Sequence, residues 1–134
     1  MLKDFINWIQ YKIFLHNKTS LIPFKEREIW WCSIGVNVGI EQDGKNKKFN
    51  RTVLVIKKFS NRQFWGLPLT TKEPKNKYFY YELKIKDKIS YVNLTQLRVY
   101  DVNRLNNALD REYKVPTRIF NEILERIIKF LKPK

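Results

Sequence analysis

Apolar residues recur at every third or fourth position near both ends of the chain, and this spacing predicts a helix at each end. The first helix is predicted over about residues 3–16. Its apolar face comprises Leu2, Phe5, Ile6, Trp8, Ile9, Ile13 and Phe14. The second helix is predicted to begin near Pro116 and Thr117, with an apolar face of Ile119, Phe120, Ile123, Leu124, Ile127, Ile128 and Leu131. We expect the first helix to dock on the core or on a partner subunit.

Short runs rich in β-branched and aromatic residues lie between these helices. They predict strands at residues 28–34, 51–59, 63–70, 78–85 and 89–93, with a hairpin turn at residues 60–61. A single helical turn at 94–97, a short strand at 98–101 and a brief helical segment near 103–107 are predicted to follow. The fold class is therefore mainly β with flanking helices (α+β), arranged as a small barrel whose open edges are covered by helix.

A polar segment, residues 35–50, joins the first two predicted strands. It carries three of the four glycines in the chain, together with Lys45, Lys47 and Lys48. Glycines permit turns with positive φ, and lysines place charge in solvent. We call this segment the flap, because its composition is typical of a loop that closes over a polyanion.

Composition favours one domain with a polyanionic partner. The 134 residues are 43% hydrophobic, which is ample for a single core. Lysine and arginine number 27 against 13 acidic residues, a formal charge of +14. Such an excess favours nucleic acid. A general bias of the sequence toward Lys, Asn and Ile is the alternative explanation, and charge alone leaves both open.

Several locations and chemistries are disfavoured. The single cysteine, Cys32, cannot form an intramolecular disulfide, and charged residues interrupt the N-terminal apolar pattern, so no signal peptide or membrane span is expected. We therefore expect a cytoplasmic protein. Neither a metal nor a cofactor is expected, because the chain has one histidine and lacks zinc-binding, nucleotide-phosphate and nucleophile-turn motifs.

One phosphoryl reaction needs little more than a basic surface with hydroxyl and amide groups. RNA carries its own nucleophile in the 2′-hydroxyl, so a protein can promote cleavage by aligning that group and stabilising the charge that develops on the phosphate. Arginine suits this role because its planar cation can hold two phosphate oxygens.

Several short motifs occur in the same order as in a known family. They are Trp30-Trp31, the flap sequence from Gly35 to Lys45, Arg51 before Val53-Leu54-Val55-Ile56, Pro68-Leu69-Thr70-Thr71-Lys72, and Leu94-Thr95-Gln96-Leu97-Arg98. Over about residues 28–105 the chain resembles the MazF/PemK toxins of type II toxin–antitoxin systems. The resemblance implies an SH3-like barrel over residues 25–134, preceded by a helical extension and linker over residues 1–24.

The resemblance also implies an activity and partners. It implies an mRNA interferase, an endoribonuclease that cleaves single-stranded RNA without metal and leaves a 2′,3′-cyclic phosphate and a 5′-hydroxyl. The expected partners are a cognate antitoxin and a second copy of the chain, with DNA contacted only through an antitoxin complex. The charge of +14 favours an acidic, largely disordered inhibitor segment.

The family's catalytic pair corresponds to Arg51 and Thr70. These positions lie at similar distances from the turn at 60–61, so they are expected at the same end of one hairpin. Arg51 is expected to neutralise the scissile phosphate and Thr70 to hold one of its oxygens, while Glu41 is a candidate for proton transfer. The predicted RNA-binding residues are Gln42, Lys45, Lys47, Lys48, Lys72, Lys75, Gln96 and Arg98.

Each assignment has a structural alternative. Glu41 could pair with a flap lysine, and Arg98 could pair with Asp101. The tryptophans Trp30, Trp31 and Trp65 are expected to be core residues more often than base-stacking residues. Two departures from the family pattern, Thr52 in place of the usual proline and a longer flap, leave the RNA sequence preference open.

Two other functions remain open from the sequence. The first is a noncatalytic toxin of the same fold that inhibits a protein target such as DNA gyrase. The second is an RNA-binding barrel without catalytic activity.

Overall fold

The computed structural model describes residues 2–19 and 21–133. The helices are α1 (Phe5–His16) and α2 (Thr117–Leu131). The strands are β1 (Ile29–Ser33), β2 (Asn50–Lys58), β3 (Gln63–Thr70), β4 (Tyr80–Ile85), β5 (Lys88–Asn93), β6 (Arg98–Asp101) and β7 (Leu105–Ala108). Short 3₁₀ turns span Lys77–Phe79 and Val102–Arg104.

The seven strands form an antiparallel sheet in the order β4-β5-β3-β2-β1-β7, and β6 also pairs with β3. Strand β3 changes partner along its length. Its residues 63–66 pair with β6, whereas Leu69 and Thr70 pair with β5. The sheet therefore curls around β3, and the predicted mainly-β fold with a helix from each end of the chain is confirmed.

Two apolar cores lie on opposite sides of β2, which explains why residues 53–56 form an uninterrupted buried run. Leu54 and Ile56 pack with the inner face of α2, where Ile123 is fully buried. Val53 and Val55 belong to the second core, whose members also include Phe24, Trp30, Cys32, Phe64 and Tyr100. Successive side chains of a strand point to opposite faces of the sheet. A register shift of one residue in β2 would therefore exchange the residues that face the two cores.

The N-terminal helix is present where predicted, but its isoleucine stripe does not dock on the core of this chain. Trp8 and Leu15 are buried, and the Trp8 ring lies 5.4 Å from that of Phe49 in the flap. Residues 8, 11 and 15 share one side of a helix, whereas residues 6, 9 and 13 lie on another. Ile6, Ile9 and Ile13 are accordingly 74%, 56% and 58% exposed. The helix thus packs on this chain through its aromatic side, and the expected docking on a partner subunit stays a prediction.

The sequence interpretation missed strand β7. The segment predicted as helical near 103–107 is a 3₁₀ turn followed by Leu105–Ala108, which pairs with β1. The sequence Leu-Asn-Asn-Ala has little intrinsic strand preference, so the open edge of β1 decides its conformation. Residues 94–97, predicted as a helical turn, form a non-helical turn.

Candidate functional site

The register of the β2–β3 hairpin brings Arg51 and Thr70 together. Val53 lies opposite Pro68, and continuing the same antiparallel ladder by two residues places Arg51 opposite Thr70. Directly opposite residues project from the same face of a sheet. The ladder contains a bulge between Val55 and Lys57. Without that bulge the same counting would place Arg51 opposite Thr71 instead.

The Arg51 guanidinium is held between the flap and β3. Its Nε donates to the carbonyl oxygen of Asp43 at 2.6 Å, and its Nη1 donates to the carbonyl oxygen of Leu69 at 3.3 Å. Partial burial lowers the pKa of Arg51, and the nearby Asp43 and Tyr80 oppose that shift. A cation in partly dry surroundings acts more strongly on a nearby phosphate than one in water.

Two amide side chains connect the flap to the arginine. When its side-chain oxygen faces Arg51, Gln42 accepts from Nε and Nη2 at 3.2 Å each. The backbone N–H of Gln42 donates to Oε1 of Gln96 at 3.2 Å. Gln42 and Gln96, predicted to bind RNA, are therefore also part of the network that holds Arg51.

Thr70 ends β3 at the wall of an open cavity of about 480 Å³. Its Oγ1 accepts from the backbone N–H of Lys72 at 3.3 Å, which leaves the hydroxyl proton free to donate. The cavity is lined by Gln42, Thr70, Lys72, Glu73, Pro74, Lys75, Asn76 and Tyr80. Predicted catalytic and RNA-binding residues thus share one surface.

A second cavity, of about 520 Å³, includes Glu41, Gln42, Gln96 and Arg98 in its wall. Gln42 lines both cavities, so the two adjoin at the residue that contacts Arg51. The structure therefore brings together all of the predicted site residues except the three lysines at the flap tip.

Glu41 does not line the cavity of Thr70, and its carboxylate is bound within the flap. Its Oε1 accepts from the backbone N–H of Val38 at 3.0 Å and closes a turn in the flap. The side chain is exposed and lines only the second cavity.

The alternative pairing of Arg98 with Asp101 does not form. The Arg98 guanidinium carbon lies 4.7 Å from the centre of the Tyr100 ring, and Asp101 pairs with Arg62 at 3.6 Å. Arg98 consequently keeps its charge available at the second cavity.

The flap-tip lysines Lys45, Lys47 and Lys48 are exposed and line neither of these two cavities. Lys47 instead lines a third cavity, beside α1. The tryptophans differ among themselves: Trp30 is buried, Trp31 is half-buried, and Trp65 is 43% exposed with its ring against Phe59. The core interpretation therefore holds for Trp30 and was wrong for Trp65.

Three residues near the site were missed from the sequence. Asp43 contacts Arg51 through its carbonyl oxygen, and Lys3 contacts the flap from the N-terminal segment. Asp43 acts through a backbone oxygen, which any residue could supply, and Lys3 is 40 residues away from it, so neither contact has a local sequence signal. Tyr80 lines the cavity of Thr70, but its position in an aromatic-rich strand concealed it.

Among residues 2–19 and 21–133, no group of three or more His, Cys, Asp or Glu side chains is placed to hold a metal ion. In the same residues, no helix has the length and apolar character needed to cross a membrane.

A comparison with protein families identifies the family to which the chain belongs. The family model of the PemK-like, MazF-like toxins of type II toxin–antitoxin systems matches residues 25–131. The chain belongs to this toxin family. The family match begins after α1, so that helix lies outside it. Comparison with curated proteins gave no significant match.

Solved structures of this toxin fold are also similar. MazF from Deinococcus radiodurans has a TM-score of 0.61 at 16% identity, covering 84% of this chain and 98% of that one. An endoribonuclease in complex with its cognate antitoxin, from a mycobacterial species, has a TM-score of 0.60 at 14% identity, with 81% and 95% covered. A MazE–MazF structure from D. radiodurans has a TM-score of 0.56 at 11% identity, with 87% and 100% covered. At these identities the similarity shows the fold.

Proposed function

We propose that this toxin is an endoribonuclease that cleaves single-stranded RNA without a metal, with Arg51 and Thr70 at its catalytic centre. The observation that carries the proposal is that Arg51 Nη1 donates to the carbonyl oxygen of Leu69, the neighbour of Thr70, and that Arg51 also contacts Gln42, which lines both polar cavities. Membership of the toxin family and the similarity to a solved endoribonuclease support it.

In this mechanism the substrate supplies the nucleophile. Its 2′-oxygen attacks the adjacent phosphorus, the bond to the 5′-oxygen breaks, and a 2′,3′-cyclic phosphate and a 5′-hydroxyl result. Overall one proton leaves the 2′-oxygen and one is gained by the departing 5′-oxygen. Stabilising the phosphoryl charge is the task left to the protein.

Arg51 is suited to that task because its fork is only partly occupied. A guanidinium has five N–H donors, and two of those of Arg51 are used by the Asp43 and Leu69 carbonyl oxygens. These contacts orient the plane of the fork, while its remaining donors bind phosphate oxygens. The Thr70 hydroxyl donates to a neighbouring oxygen, and Gln42 yields its contact with Arg51 when the phosphate arrives. With the flap positioned as here, we assign no proton transfer to Glu41.

The RNA strand runs along the two adjoining cavities. Lys72 and Lys75 bind phosphates on the Thr70 side, and Arg98 binds on the side of Gln96. The exposed lysines at the flap tip add nonspecific attraction. Such contacts place the backbone and make binding sensitive to salt.

The partner that neutralises this surface is an antitoxin. Two of the similar solved structures contain an antitoxin or MazE. The net charge of +14 favours an acidic antitoxin segment that covers the RNA cavities, and assembly as a homodimer is part of the same proposal. In the cell, the toxin acts in the cytoplasm, where its RNA substrate is found.

A cleavage assay tests the proposal. The purified protein is incubated with a long RNA of mixed sequence in excess EDTA, alongside Arg51→Ala, Thr70→Ala and a matched control, Arg62→Ala. The expected result is cleavage by the unaltered protein and the control, with loss of about 100-fold or more in the first two variants. Circular dichroism verifies that each variant folds, and end-group analysis identifies the cyclic phosphate.

Each other outcome has a defined meaning. RNA binding without any fragments would favour the noncatalytic RNA-binding barrel. Neither binding nor cleavage would favour a protein target such as gyrase. Full cleavage by folded Arg51→Ala would show that a different centre performs the reaction.

A further inference from the structure

The N-terminal segment holds the flap through one lysine. Lys3 Nζ donates to the carbonyl oxygens of Asn37 and Gly39 at 2.7 and 3.0 Å, and it pairs with Asp43 Oδ2 at 3.0 Å. Both charged side chains are only 26% and 29% exposed, so the pair is less screened than a surface ion pair. Three flap residues thus depend on one ammonium group.

Asp43, which forms the ion pair with Lys3, also orients Arg51. The other carboxylate oxygen of Asp43, Oδ1, accepts from the backbone N–H of Asn37 at 2.7 Å, and its carbonyl oxygen accepts from Arg51 Nε at 2.6 Å. Asp43 is therefore fixed by its side chain and fixes the arginine by its backbone. A continuous chain of contacts leads from Lys3 to the guanidinium.

An aromatic contact holds the same two segments together. The buried Trp8 of α1 packs against Phe49 at the end of the flap and lies over Gly35 at its start. Arg104 lies over the Trp8 ring, 5.6 Å from its centre. Both ends of the flap therefore rest on α1, while Lys3 holds its middle.

We propose that Lys3 is a positioning residue for Arg51. Through Asp43, the N-terminal segment fixes the flap so that the guanidinium presents its free donors to the phosphate. This inference rests on the proposed ribonuclease activity, but Lys3 itself does not touch the substrate. It also assigns a role to the segment that precedes the family-matched residues 25–131.

The kinetic test uses Lys3→Ala, the conservative variant Lys3→Arg, and Lys12→Ala as a control that removes one charge from the exposed part of α1. For Lys3→Ala we expect kcat to fall about 10-fold with KM changed less than about twofold, because an orienting contact is lost while the RNA-binding groups remain. Lys3→Arg restores most of the activity. Lys12→Ala reports the effect of net charge alone.

A second measurement requires no activity. In ¹⁵N NMR spectra, the Arg51 Nε–H and the Asn37 amide report on the two Asp43 contacts directly. Both are expected to exchange with solvent at least about 10-fold faster in Lys3→Ala than in the unaltered protein or in Lys12→Ala. Thermal unfolding of all variants identifies any general loss of folding.

The failures of the two proposals are distinguishable. Unchanged kcat and unchanged exchange at both groups in Lys3→Ala would overturn the positioning role, as would equal losses of kcat in Lys3→Ala and Lys12→Ala. A lack of cleavage by the unaltered protein would overturn the ribonuclease instead. In that event faster exchange at Arg51 in Lys3→Ala still supports the positioning of the guanidinium.

Discussion

Replacing Gly35 with alanine should separate α1 from the flap. Gly35 has a φ of +85°, and a Cβ added there would overlap the Trp8 indole, with Cδ2 at 2.8 Å and two further ring atoms closer. Gly39 provides a matched control in the same flap. Its φ is +57°, but a Cβ added there has no heavy atom within 4 Å. Both substitutions therefore place alanine at positive φ, and they differ chiefly in the contact with Trp8.

The expected cost follows from these two contributions. Placing alanine at positive φ costs about 1–2 kcal/mol at either position, partly offset by reduced freedom of the unfolded chain. Displacing a packed ring adds about 1–3 kcal/mol at Gly35 only. Detachment of α1 would relieve the overlap, so this second contribution is limited by the free energy that holds α1 on the flap. We expect Gly35→Ala to be about 1–3 kcal/mol less stable than Gly39→Ala.

Urea unfolding of both variants measures this difference, and thermal unfolding should show a Tm lower by at least about 3 °C for Gly35→Ala. The same pair is then made in a Trp8→Ala background. There the difference should vanish, because the ring that the methyl group would strike is absent. Equal stability of the two variants in the unaltered background, or a difference that persists without Trp8, would refute the reasoning.

Further predictions concern the core, the thiol and the RNA surface. Ile123→Ala should destabilise the protein by about 2–5 kcal/mol in urea unfolding, because its fully buried side chain joins α2 to the sheet; a cost below 1 kcal/mol would contradict this packing. Burial raises the pKa of Cys32 from 9.0 to about 12, so a thiol reagent at pH 8 should react only as fast as the protein opens, and stability should fall as the pH rises from about 9 toward 12. Rapid labelling of folded protein would contradict that burial. In the Arg51→Ala background, which we expect to be inactive, replacing Lys72 and Lys75 with alanine should reduce the slope of log K against log salt for single-stranded RNA by about 1.4, and an unchanged slope would remove both from the RNA surface.

The β2–β3 hairpin was predictable because its information is local. Two apolar runs and the turn between them define the strands, and the family motifs identify the two residues at the end of the hairpin. Counting from the turn placed Arg51 and Thr70 at the same end, although it could not distinguish Thr70 from Thr71. That choice depends on the bulge between Val55 and Lys57, which the sequence analysis did not predict.

Contacts between distant segments account for what the sequence did not reveal. β7 has a weak strand preference and forms because β1 offers an open edge. The helical spacing of α1 was correct, but two apolar faces compete on that helix, and only tertiary packing selects the side of Trp8 and Leu15. Lys3 and Asp43 were unrecognised for the same reason, because their importance comes from a contact between the N-terminal segment and the flap.

The bulge near Ile56 has a practical consequence for modifying this protein. On one side of the bulge, β2 side chains buried on both faces of the sheet fix the register of the strand. The exposed connection at residues 59–62 lies on the other side of the bulge. We therefore expect that residues inserted into that connection leave the register between the far ends of β2 and β3 unchanged. The connection is therefore a suitable place for a fluorophore or an inserted domain that leaves Arg51 opposite Thr70.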